Sequence, residues 1–224
     1  MWNSTPPGWM SPTRDSQMIP ATLLELFAAV CPWLALVLCL QVAAVKCGIK
    51  AGGARQLWLL GLIALGALAV PVRGIAIARW VASINPNFSI PFTGLLAVTV
   101  WERAFAQRIF SARDWSTSWM FGAVGGLALY PLAFGLGKFD TYEWGWGFSP
   151  LFAGIAALTG LLVWKQNRFG ILLLLAIVAY HLRLLESTNY WEYLLDPVYC
   201  LFSILVLSWR LGMCCCWRRQ PAQC

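Results

Sequence analysis

The sequence predicts an all-α fold: a polytopic bundle of about seven transmembrane helices. Three observations predict it. The chain is 60% hydrophobic and 11% charged over 224 residues, whereas a soluble domain carries about 25% charged residues. Its apolar residues fall into seven runs separated by short polar turns. The turns alternate between basic and acidic, which is the signature of a chain that crosses a bilayer repeatedly. The mean hydropathy of +0.68 and the fourteen tryptophans, a residue that collects at membrane interfaces, agree with this.

Residues 1–22 are polar, with Pro6, Pro7, Pro12 and Pro20, and predict an irregular segment. They have neither a basic region nor an apolar core of signal-peptide type, so no cleavable signal is expected. The first run, Leu23 to Val45, contains Glu25 and an internal Pro32 that predicts a kink. Lys46, Gly48, Lys50, Gly52, Gly53 and Arg55 then make a basic loop. The second run starts at Leu57 and is expected to continue past Pro71, Arg73 and Gly74 to about Trp80. Asn85-Pro86-Asn87 reads as a turn. The third run, Phe88 to Trp101, is short and is expected to extend as a charged helix through Glu102, Arg103 and Arg108. Trp119 to Leu136 is the fourth, with Gly122, Gly125 and Gly126, small residues that let helix backbones approach closely in lipid. An acidic aromatic loop carries Asp140, Tyr142, Glu143, Trp144 and Trp146. The fifth and sixth runs, Phe148 to Trp164 and Phe169 to Leu185, flank a tight basic turn at 165–168. A second acidic aromatic loop spans 186–192. The seventh run is Leu194 to Leu211, and the tail holds Cys214, Cys215, Cys216 and Cys224. One transmembrane domain, 23–211, is expected between the N-terminal segment and the tail at 212–224.

The basic residues orient the bundle. The loops at 46–56, 102–117 and 165–168 together with the tail, Arg210 included, hold eleven of the sixteen Lys and Arg; the other side holds five, with seven of the nine acids. Basic loops stay in the cytoplasm, so the N-terminus is expected outside and the C-terminus inside. The expected location is the plasma membrane, a bacterial inner membrane in particular.

The unusual polar residues gather at the predicted outer ends of the runs. Arg73 and Arg79 end the second; Asp140 and Glu143 follow the fourth; His181, Arg183 and Glu186 end the sixth; Glu192 and Asp196 begin the seventh. These nine are the candidate substrate-binding residues; no catalytic residue is assigned. An ionisable group inside a span costs roughly 2.5–3.5 kcal/mol at the bilayer centre, so opposite charges are expected to converge. Arg183 and Glu186, spaced i, i+3, would pair on one helix. Glu192 and Asp196, spaced i, i+4, would share a face. Arg73 and Arg183 would then bridge to the carboxylates at 186, 192 and 196 around an outward cavity, holding an anionic group such as a phosphate. The plainer reading of the same residues is interfacial anchoring with structural ion pairs, and it weighs more.

Several chemistries find no motif. His181 is the sole histidine, which excludes multi-histidine metal catalysis. There is no nucleophile elbow and no phosphate-cradling loop. Eight cysteines show no paired C-x-x-C spacing, so neither a metal site nor a cofactor is expected. Cys214–Cys216 beside the last run resemble sites of reversible lipidation or weak tethering. Asn3-Ser4-Thr5 and Asn87-Phe88-Ser89 match the glycosylation sequon. The expected partners are membrane lipids and other membrane proteins, not nucleic acid.

Function is read mostly by elimination. The leading expectation is a non-enzymatic accessory or assembly component of cell-envelope lipid or glycan metabolism. A small membrane enzyme or transferase acting on a lipid-linked anionic substrate at the outer leaflet stands second. A small transporter stands third, since internal repeat symmetry is missing.

Overall fold

A computed structural model of the chain describes residues 21–49, 52–136, 140–146 and 149–218, the side chains at 21–23 and 214–218 excepted. The described residues are mostly helical. In chain order they form α1 Ala21–Lys46, α2 Gly53–Ala69, a two-stranded hairpin Pro71–Val72 and Ile75–Ala76, α3 Ile77–Ile84, α4 Ile90–Phe105, α5 Ala112–Ala133, a 3-10 turn Thr141–Gly145, α6 Pro150–Trp164, α7 Phe169–His181, α8 Tyr190–Leu194 and α9 Pro197–Arg218. Each of the seven longest helices coincides with one predicted apolar run. One of them, α1, is over Leu24–Lys46 long and apolar enough by itself to cross a membrane; α2, α6 and α7, and Pro197–Met213 of α9, are shorter apolar helices.

The second run does not continue as predicted. Helix α2 stops at Ala69 because Pro71 cannot donate a backbone hydrogen bond. The chain then reverses through Arg73 and Gly74, both at positive φ (53° and 81°), the pair of left-handed positions a tight hairpin turn requires. Pro71 pairs with Ala76 and Val72 with Ile75. The apolar pattern beyond belongs to a separate short helix, α3. The charged extension expected after the third run stops short of Arg108: Ala106 takes a left-handed conformation at the α4 C-terminus, and Glu102 accepts from the backbone N–H groups of Ile109 and Phe110, both at 2.7 Å. Arg108 therefore lies outside the helix. Helix α5 begins seven residues before Trp119, where Ser111 and Asp114 form a reciprocal capping box. Pro32 lies inside α1, which runs unbroken from Ala21 to Lys46.

Two apolar cores share helix α4. The larger is built from α4 to α9, with Cys31 of α1, around Phe92, Leu95, Phe169, Leu173 and Tyr199; the smaller joins α1, α2 and α4 around Leu34, Val37, Ala64 and Val100, and Leu96 packs against both. The tightest seam runs between α5 and α9. Gly122 and Gly126 are buried, and a Cβ on either would collide with Ser203 and Tyr199, or with Cys200, of α9. A Cβ on Gly125 would meet Leu195 at 2.8 Å. The glycines thus serve the close approach expected of them. Tyr199 is fully buried, stacks on Phe92 with ring centres 5.7 Å apart, and donates its hydroxyl to the Ser118 carbonyl at 2.6 Å.

The outward faces of the bundle are apolar as well. Trp58, Leu59, Leu62 and Leu65 of α2 are exposed, as are Met120, Val124 and Leu127 of α5; Ile171, Leu174, Leu175 and Val178 of α7; and Leu201, Phe202, Leu205 and Trp209 of α9.

Candidate functional site

One end of the bundle brings together the hairpin, the turn at 85–89, the loop at 140–146 and the segment 182–196. Asp196 holds it together. Its side chain is buried, at 1% exposure, and lies between the starts of two helices. Oδ1 accepts from Tyr199 N–H at 2.9 Å, capping α9. Oδ2 accepts from Ser89 N–H at 3.0 Å and Ser89 Oγ at 2.6 Å, at the start of α4. Helix N-termini carry unpaired N–H groups and the positive end of the helix dipole, so a single carboxylate is stabilised by both. Asp196 needs no arginine.

Glu192 is the second carboxylate. One oxygen accepts from the Tyr142 hydroxyl, the other from Asn87 Nδ2 at 2.7 Å. Burial, and then this bond to Glu192, pushes the Tyr142 phenol above its ordinary value of 10.0, so it remains a donor at neutral pH. Beside it, Asn189 is fully buried. It accepts from Trp191 N–H at 2.9 Å to cap α8 and donates to the Tyr142 carbonyl at 3.1 Å. Trp191 Nε1 donates to the Thr141 carbonyl at 2.8 Å. The loop at 141–145 is thereby tied to α8 by side chains from both.

These groups enclose a cavity of about 290 Å³, lined among others by Asn85, Asn87, Tyr130, Tyr142, Glu192 and Asp196. The lining contains two carboxylates and no basic residue. The buried Asn85 Nδ2 has no hydrogen-bond partner among the described residues.

Of the nine candidate residues, only Glu192 and Asp196 line this cavity. The expected charge convergence does not form. Among the described residues the sole ion pair is Arg79 to Glu25, at 3.4 Å and largely exposed. Arg73 sits in the exposed hairpin turn. Arg183 cannot pair with Glu186 across a helical turn, because α7 ends at His181 and Arg183 has φ 52°. Glu192 and Asp196 do not share a helix face either: α8 ends at Leu194 and Leu195 is extended. His181 and Arg183 line a separate cavity of about 210 Å³ with Ser187 and Thr188. Glu186 lines a groove with Glu25 and Arg79. Asp140 caps the 3-10 turn through Tyr142 N–H at 2.8 Å, and Glu143 is exposed.

No family model, curated protein or solved structure matches the chain. The site therefore rests on its own geometry. Sequence reasoning missed Asn85, Asn87, Tyr130 and Tyr142 as lining residues because it searched for charge. The sequon at Asn87 has a different use here: the amide nitrogen that would carry a glycan donates to Glu192. The expected modification at Asn3 and any role of the Cys214–Cys216 side chains lie outside the described residues.

Proposed function

We propose that the chain is a multi-pass integral membrane protein with seven crossings, N-terminus outside, acting as a non-enzymatic accessory or assembly component of envelope lipid or glycan metabolism. One observation carries the membrane part: α2, α5, α7 and α9 each present a run of exposed apolar residues on the solvent-facing side. On α7 the exposed residues Ile171, Leu174, Leu175 and Val178 follow the helical repeat. A soluble protein rarely leaves contiguous apolar faces uncovered, whereas lipid chains solvate them at no cost. Helices shorter than about 20 residues, such as α6 and α7, reach across with the aid of their flanking turns and local thinning of the bilayer.

The binding part is supported by the cavity, and the non-enzymatic part by the state of its acids. Both oxygens of Asp196 and both of Glu192 already accept hydrogen bonds from the protein. Asp196 is thereby committed as a cap to two helix starts, and His181, the single imidazole of the sequence, lines a different cavity, so neither acid has an imidazole partner for proton transfer beside it. The combination favours holding a ligand over transforming it.

The test is fractionation of the full-length protein. It should stay with membranes through alkaline carbonate washing and leave only in detergent; release in the carbonate wash overturns the membrane reading. Incubated with a membrane lipid extract, the purified full-length protein should retain lipid without converting it; conversion of a lipid by the parent that Glu192→Gln abolishes would favour the enzyme instead.

A further inference from the structure

A groove of about 810 Å³ lies beside the polar cavity, between α1 and α3. Ala28 and Ala29 line it from one side, Ala78 and Ala82 from the other; alanine is what leaves the space. Its charged residues, Glu25, Arg79 and Glu186, are exposed. Pro86 of the turn between α3 and α4 lines both the groove and the polar cavity. The two therefore adjoin across a single residue. One is apolar with charges at its exposed margin, and the other is polar.

We infer that the groove and the cavity form one amphipathic site for a lipid with a neutral, hydroxyl-rich headgroup, a glycosyl lipid. This rests on the membrane reading above, since the acyl chain must arrive from a bilayer. The chemistry of the cavity selects the headgroup. Glu192 and Asp196 line it with no base beside them, so a phosphodiester head would meet like charge in a partly desolvated space, which is repulsive. An ammonium head would satisfy the carboxylates but can only donate, leaving the second amide N–H of Asn87, beyond the one given to Glu192, without an acceptor. A sugar hydroxyl donates to a carboxylate and accepts from an amide at once. Tyr130, Tyr142 and Trp191 supply aromatic surface for the C–H face of a sugar ring. The alanine-lined groove supplies the apolar contact that a free sugar cannot use, and burial of methylene groups is what makes the lipid bind.

The experiment is native mass spectrometry of the full chain in detergent, titrated with three diacyl lipids of identical chains: a monoglycosyl-diacylglycerol, phosphatidylethanolamine and phosphatidylglycerol. A free methyl glycoside serves as the fourth ligand. The expected result is retention of the glycosyl lipid about tenfold above phosphatidylglycerol, as one lost hydrogen-bonded or repelled contact implies, with the free glycoside not retained. Ala82→Leu, which fills the groove, should weaken the glycosyl lipid by about the same factor. Glu192→Gln should narrow the preference. A photo-crosslinking residue at Leu26, beside the groove, should capture lipid. Equal retention of the three diacyl lipids, or capture by that crosslinker of residues 1–20 of the same chain in place of lipid, overturns the inference. Either result leaves the protein in the detergent-extracted fraction, so it is distinct from failure of the membrane reading, in which carbonate releases the chain.

Discussion

The two ends of the bundle use the same device. At one end Asp196 accepts from the start of α9 and from the start of α4. At the other, Asp114, at 3% exposure, accepts from Ser111 at the start of α5 at 2.8 Å and from Arg168 N–H at the start of α7 at 3.0 Å. Each is a buried aspartate shared by two helix N-termini, and neither has an ion-pair partner among the described residues. The surroundings differ. Beside Asp114 the gap is closed: Asn167 is buried, donates to Thr117 Oγ1 at 2.9 Å and accepts from Phe169 N–H at 3.0 Å, while the Arg168 side chain donates to the Ile109 carbonyl. Beside Asp196 the donors stand around a cavity. Buried charge alone therefore does not mark the candidate site. Space next to the charge does.

The largest expected effects test this equivalence. Asp196→Ala and Asp114→Ala should each destabilise the detergent-solubilised protein by on the order of 3 kcal/mol, since each removes a cap and leaves buried N–H groups without their acceptor. Asn at either site should recover part of the loss. Thermal melting reads both, and a neutral Asp114→Ala would break the comparison.

The next effect concerns the α5–α9 seam that supports the cavity end. Gly126→Leu drives a side chain into Cys200 and should cost about 2 kcal/mol or more. Gly66→Leu on α2 meets open space and should melt like the parent. Equal melting temperatures for all three proteins would place the α5 glycines on a free face.

Tyr142→Phe is smaller. It removes one hydrogen bond to Glu192, about 1 kcal/mol or somewhat more because the acceptor is charged. Its pH signature is sharper. The folded phenol titrates above its unfolded value of 10.0, so folding retains a proton that the unfolded chain releases. The Tyr142 contribution is thus constant below pH 10 and declines as pH rises beyond it. The Phe variant should lose less stability than the parent between neutral and strongly alkaline pH; an unchanged profile would mean Tyr142 is neither buried nor bonded to Glu192. Arg79→Ala should do least, under about 1 kcal/mol, because its pair with Glu25 is exposed and screened.

Much of this was legible in the sequence, in a particular way. Apolar runs located the seven long helices because burial and lipid contact both demand continuous apolar faces. Boundaries failed where a local signal competed with hydropathy. Pro71 and Gly74 end α2 although Ile75, Ile77 and Val81 keep the apolar pattern going. Ser111-x-x-Asp114 starts α5 although the stretch after it is polar; that spacing is a readable capping signal. The site was half legible. Glu192 and Asp196 stood out by charge, but their partners Asn87 and Ser89 lie 105 and 107 residues away, and no single sequence shows such pairing. Expecting arginines to neutralise the acids overlooked that backbone N–H groups at helix starts satisfy Asp196 and that an amide and a phenol satisfy Glu192.

The measurement that bears most directly on the seven-crossing bundle is a set of reporter fusions at the turns. An enzyme active only outside the cytoplasm, fused after residues 49, 86, 108, 145, 166, 187 and 218, reads the side of each. The expected result is activity after 86, 145 and 187 and none after 49, 108, 166 and 218. Activity after 218, or silence after 145, would contradict it.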